Sequence, residues 1–134
     1  MKIAITVARV LLGLAFVFFG FNAFHPLMKQ PPLPSGPAGD FIKALASGHY
    51  FHVIAACQII GGLLCLVSSR LVPVGLLFLG PVIVNILCYH IFLHPEGIGP
   101  GIIVAVFALF LLWAYRDAFA GLVQAPKGSS VKKD

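Results

Sequence analysis

Four long apolar runs, separated by short polar joins, set the pattern of the chain. The first extends from Ile3 to Phe24 and is interrupted only by Arg9 and Asn22; the second, Tyr50 to Ser69, has Gln58 as its one strongly polar interior residue. The third runs from Leu71 to His94 and the fourth from Gly101 to about Phe119. A helix of about 20 apolar residues crosses the roughly 30 Å of hydrocarbon in a bilayer, and each run has about that length. The pattern predicts an all-α fold: an integral membrane four-helix bundle over residues 1–123, with helices near 3–24, 50–69, 71–94 and 101–119. Joins this short make successive helices antiparallel neighbours.

The longest join, His25 to His49, opens with HPLMKQPPLPSGPAG. Pro26, Pro31, Pro32, Pro34 and Pro37 lack donor N–H groups and restrict φ, so this Pro-rich external loop has a fixed shape without regular structure. DFIKALAS follows, in which Asp40 is placed to cap a short interfacial helix that lays Phe41, Ile42 and Leu45 against the membrane and leaves Lys43 in water. Ser68, Ser69 and Arg70 form a tight turn, and Pro73 falls in the first turn of the third helix, where a missing donor costs little. Pro81 lies mid-span, where it frees a carbonyl one turn back and kinks the helix just before Asn85. His94-Pro95-Glu96-Gly97 ends that helix, and Gly99-Pro100 starts the next. Residues 124–134 read as a disordered basic tail.

Composition agrees with lipid as the solvent: 60% of the 134 residues are hydrophobic, 10% are charged, and the mean hydropathy is +1.02. The start, Met-Lys before an apolar run, resembles a signal peptide. However, Arg9 would interrupt its core and no small-residue cleavage site follows near Phe24, so a retained span is expected. Four spans put Lys2, Arg9, Arg70, Arg116, Lys127, Lys132 and Lys133 near one side and Lys29 and Lys43 on the other, which predicts that both termini are cytoplasmic. The net charge of +5 then serves topology and anionic lipid; no nucleic-acid partner is expected.

The intramembrane polar residues are the candidates for chemistry. Arg9 lies about two turns from the cytoplasmic end, where its side chain either snorkels to phosphates or faces the interior on one stripe with Gly13, Phe16 and Gly20. Gln58 shares a small-residue face with Ala55, Gly61 and Gly62, and Asn85 and Tyr89 share a face four residues apart. An unpaired polar group in hydrocarbon costs on the order of 2 to 7 kcal/mol, so these side chains are expected inward, near one another, Arg9 or a ligand. They act either as interhelical hydrogen-bonding groups or as the polar lining of a cavity. His90 and His94, one turn apart, invite a metal, yet a closed zinc site wants four ligands and no HExxH is present, so no metal site is expected. Cys57 and Cys65 stand roughly 12 Å apart along one helix, beyond disulfide reach, so Cys57, Cys65 and Cys88 read as apolar thiols. No dinucleotide fingerprint, P-loop or Ser/His/Asp arrangement is present, and no catalytic residue is identified.

The stretches ARVLLGLAFVFFGFNAF (8–24), PPLPSGPAGDFIKALASGHYF (31–51), QIIGGLLCLVSSRLVPVGLLFLGPVIVNILCYHIFLHPEG (58–97) and LLWAYRDAF (111–119) together resemble the DoxX family of small bacterial membrane proteins. The resemblance covers most of the chain. It implies a four-helix membrane bundle in the bacterial inner membrane and a link to sulfur oxidation, as a subunit of a thiosulfate:quinone oxidoreductase, or to oxidative and thiol stress. Carried over by position, the intramembrane polar residues are Arg9, Gln58, Asn85 and His90. Gln58 departs from the pattern, since many relatives are expected to carry Glu there, and an amide neither accepts a proton nor neutralises Arg9.

Three functions follow as expectations. The first is a membrane subunit of a redox enzyme, possessing a quinone or other apolar molecule among Arg9, Gln58, Asn85, Tyr89 and His90, because donors in an apolar pocket suit a carbonyl-bearing lipid. The second is a small carrier, for which the lack of an internal repeat is unfavourable. The third is a non-catalytic scaffold or assembly factor, alone or as a homo-oligomer.

Overall fold

The computed structural model describes residues 1–124, so the basic tail expected at 124–134 falls outside the described residues apart from Gln124. The protein is all-α. Its helices are α1 (Lys2–Phe24), α2 (Pro37–Ala46), α3 (Tyr50–Val67), α4 (Val72–Phe92), α5 (Ile98–Ala114) and α6 (Arg116–Ala120), with single 3-10 turns at Ser69–Leu71 and Pro95–Gly97. Among the described residues, four helical segments are long and apolar enough to cross a membrane: Lys2–Phe24, Tyr50–Val67, Ser69–Phe92 and Pro95–Ala114. Their lengths of 23, 18, 24 and 20 residues correspond to about 27–36 Å of helix, which brackets the hydrocarbon thickness.

Contacts among the long helices run in cyclic order: α1 on α3, α3 on α4, α4 on α5, and α5 back on α1. The shared core is a narrow column that includes Leu12, Phe16, Cys65, Val72, Leu79 and Leu111. Outside it the surface is as apolar as the core, with Leu109 64% exposed, Val84 58%, Val106 57% and Ile103 57%. A belt of aliphatic side chains this continuous is unstable in water and suited to lipid, which is the signature of a multi-pass membrane protein.

Glycine sets the spacing of three of these helices. A Cβ on Gly62 would stand 2.8 Å from the Gly13 carbonyl oxygen and 3.0 Å from the Val17 nitrogen, so α1 and α3 meet backbone to backbone there. A Cβ on the neighbouring Gly61 would stand 2.7 Å from Leu79 and 3.1 Å from the Gly75 carbonyl oxygen on α4. Two consecutive residues therefore serve opposite sides of α3. Small residues permit this approach in a membrane, where packing and not water exclusion holds helices together.

Several local expectations are corrected. Asp40 does not cap α2: the helix begins three residues earlier at Pro37, behind Gly36 at φ 73°, and exposed Asp40 sits in its first turn. Pro37 at the first helical position has no N–H to leave unpaired, and Gly36 reaches the left-handed region without a Cβ penalty. The fourth long helix begins at Ile98, so Gly99-Pro100 lies within its first turn, where the missing proline donor costs no helical bond. It also ends sooner, at Ala114; Tyr115 leaves helical geometry and a separate short helix follows. That break is held in place, since the Tyr115 hydroxyl lies 2.8 Å from Ser69 Oγ in the α3–α4 turn.

Candidate functional site

α3 and α4 touch closely at Gly61 and Gly75, and toward the loop end a half-open cleft of about 840 Å³ lies between them. α2 provides the third wall. Its apolar side chains Phe41, Ile42 and Leu45, expected against the membrane, also line the cleft. The physical reason is the short connection to α3, which folds the amphipathic helix back so that its apolar face meets the nearest apolar surface. Phe41 stacks on Tyr89 of α4 with ring centroids 5.8 Å apart, tying the covering helix to the opposite wall.

The cleft is polarised along its length. At its deep end lie Cys57, Leu77, Phe78, Pro81 and Val82, all without charge. Asn85, Tyr89 and His90 lie progressively nearer the loop end of the same wall. From Leu77 to Tyr89 the wall spans roughly 18 Å of helix. Asn85 Nδ2 donates to the Pro81 carbonyl oxygen at 2.9 Å, within its own helix, and His90 Nδ1 lies 3.0 Å from the His94 carbonyl oxygen. Of the five candidate residues Arg9, Gln58, Asn85, Tyr89 and His90, the last three line this cleft.

Arg9 and Gln58 are placed elsewhere. Half-buried Gln58 faces α1, its Cβ 3.1 Å from where a Gly20 side chain would begin, and neither residue lines the cleft. Because α1 and α3 are antiparallel, Arg9 lies roughly 16 Å further along the bilayer axis from that crossing, at the end that holds the termini. The structure does not join Arg9, Gln58 and Asn85 in one cluster.

No family model, curated protein or solved structure matches the chain.

Around the loop end, aromatic side chains and histidines pair in stacks: Phe24 with His52 at 5.0 Å, Phe21 with His25 at 5.5 Å, and His49 beside His52 at 5.7 Å. Among the described residues no three His, Cys, Asp or Glu side chains gather into a set able to hold a metal ion. Cys57, Cys65 and Cys88 are free thiols. One polar residue has a role that its sequence position did not suggest. Asn22, 8% exposed, accepts from the Leu27 and Met28 amides at 2.7 and 3.2 Å and so fixes how the chain leaves α1. The only signal for it was an amide one turn from a helix end, before a proline.

Proposed function

We propose that this chain is a DoxX-like four-helix bundle of the bacterial inner membrane, with both termini in the cytoplasm, that holds an apolar molecule as a small subunit of a redox or thiol-stress system. The observation that carries the reading is the polarised cleft. Its volume of about 840 Å³ falls in the range of small-molecule sites, and it is mostly apolar with a few convergent polar groups. An amphiphile fits such a gradient tail inward, with its head beside Asn85, Tyr89 and His90. A quinone has that shape, and lateral entry from the bilayer suits a site between two spanning helices. The expected orientation puts the cleft in the external half of the membrane.

The test is retention of a lipid-like ligand. Leu77 is 55% exposed and lines the cleft, so Leu77→Trp fills the space without entering the core. Extraction of the purified wild-type protein should yield a quinone absorbance above that of an equal mass of co-purified lipid, and the variant should lose it while keeping its helical circular dichroism. Equal retention by both proteins, or none by the wild type, refutes the reading. Alkaline phosphatase fused to the C-terminus should be inactive; an active, properly inserted fusion would reverse the orientation.

A further inference from the structure

At the end of the bundle opposite the cleft, the fold gathers positive charge around one turn. Ser69 Oγ lies 2.8 Å from the Tyr115 hydroxyl, so Arg70 and Arg116, each the next residue in sequence, leave adjoining points of the α3–α4 turn and the α5–α6 break. Both are exposed. A third arginine comes level with them. Gly13 of α1 opposes Gly62 and Leu66 of α3, and four residues further along each of these antiparallel helices brings half-buried Arg9 beside residues 66–70. Among the described residues the only carboxylate at this end is that of exposed Asp117, since Asp40 and Glu96 lie at the loop end.

Arg116 is held in place. Its guanidinium carbon stands 4.9 Å from the Trp113 ring centroid, and Nη1 donates to the Trp113 carbonyl oxygen at 2.8 Å. That bond uses one of five N–H donors in a planar fork suited to phosphate. Apolar surface begins directly beside the charge: Trp113 is 52% exposed and Leu112 43%, on a helix that is apolar enough to span a membrane. A free phosphate would meet the guanidinium groups alone. A phospholipid meets them with its head and lays its acyl chains on the Leu112 and Trp113 surface, where an indole ring suits the boundary between the two.

We propose that Arg70, Arg116 and Trp113 form a docking surface for an anionic phospholipid. Its one premise is that the protein resides in a bilayer, and it is independent of what the cleft holds.

Trp113 is the chain's one tryptophan, so its fluorescence reports on this surface alone. Full-length protein is placed in phosphatidylcholine vesicles that contain equal fractions of either dibrominated phosphatidylglycerol or dibrominated phosphatidylcholine, whose bromines quench on contact. Arg70 and Arg116, offset by Asp117, leave one net positive charge, equivalent to about fivefold tighter association of the anionic lipid. That preference is expected in about 0.1 M salt and should fall toward parity in about 1 M salt, as the Debye length shortens from about 10 Å to about 3 Å. The double variant Arg70→Gln, Arg116→Gln should associate equally with both lipids. Asp117→Asn should raise the preference by about a further fivefold, and this surface change keeps the test decisive if the double variant fails to insert. Lys43→Gln, at the opposite end, should leave it unchanged. Because the preference is a ratio within one variant, a change in the intrinsic fluorescence of Trp113 cancels. Equal quenching of the wild type by the two lipids overturns the proposal. A preference unaltered in both the double variant and Asp117→Asn does the same, as does one lost in Lys43→Gln.

Discussion

Gly62→Ala adds one methyl group at the place where α1 and α3 are closest. The new Cβ would meet the Gly13 carbonyl oxygen at 2.8 Å, Val17 Cγ2 at 2.9 Å and the Val17 nitrogen at 3.0 Å, where ordinary contact begins at 3.4 Å. Two of those three atoms are backbone, so no rotamer change relieves the overlap and the helices must part by about 0.6 Å. Parting loosens contacts along the whole crossing, down to Gly20 against Ala55 and Ile59. Overpacking of this kind typically costs about 1–3 kcal/mol. Two other glycines calibrate it. A Cβ on Gly101 meets only side-chain atoms, Ile86 Cγ2 at 3.2 Å being the nearest, and one on Gly121 meets nothing within 4 Å. Unfolding in mixed dodecylmaltoside and SDS micelles, followed by circular dichroism, should rank the variants as Gly62→Ala least stable, Gly101→Ala within about 1 kcal/mol of wild type, and Gly121→Ala unchanged. A Gly62→Ala midpoint equal to that of Gly121→Ala would show that α1 and α3 do not meet through their backbones.

Asn22→Ala removes the acceptor for the Leu27 and Met28 amides and should cost about 1–3 kcal/mol, with faster proteolysis between residues 25 and 36; Asn22→Asp, which keeps the acceptor, should be cleaved at the wild-type rate. Ser69→Ala and Tyr115→Phe share one 2.8 Å hydrogen bond, so a double-mutant cycle by thermal unfolding should give a coupling of about 0.5–1 kcal/mol; zero coupling removes the tie between α5 and the α3–α4 turn. Arg9→Met and Gln58→Leu should instead be additive within about 0.5 kcal/mol, as expected for groups more than 10 Å apart without common partners. Larger coupling would mean that Arg9 reaches the middle of the membrane.

The spans were legible because hydrophobic run length is a one-dimensional property: Ile3–Phe24 and Tyr50–Ser69 differ from α1 and α3 by one or two residues at their ends. The amphipathic face of α2 was legible from the spacing of Phe41, Ile42 and Leu45, and so was the shared face of Asn85 and Tyr89. What these faces meet was not. Register between antiparallel helices depends on which small residues allow backbones to touch, and Gly13, Gly20, Gly61, Gly62 and Gly75 could pair in several ways from sequence alone. That register is what separates Arg9 from Gln58. Capping was misjudged at Asp40 because Gly36-Pro37 offered a helix start of its own.

The consecutive glycines of α3 have a mechanical consequence. Gly62 against α1 and Gly61 against α4 bring backbone atoms of the neighbouring helices to within 3.1 Å of each glycine's Cβ position, beside the single side chains of Val17 and Leu79, so α1, α3 and α4 are expected to tilt as one plate when bilayer thickness changes. α1, at 23 residues, is about 34 Å long and exceeds the hydrocarbon layer, whereas the fourth span, Pro95–Ala114 at 20 residues, is about 30 Å and matches it. Unequal mismatch on the two sides favours tilting of the plate past α5. Because both long walls of the cleft belong to the plate, their separation is insulated from the thickness of the surrounding lipid.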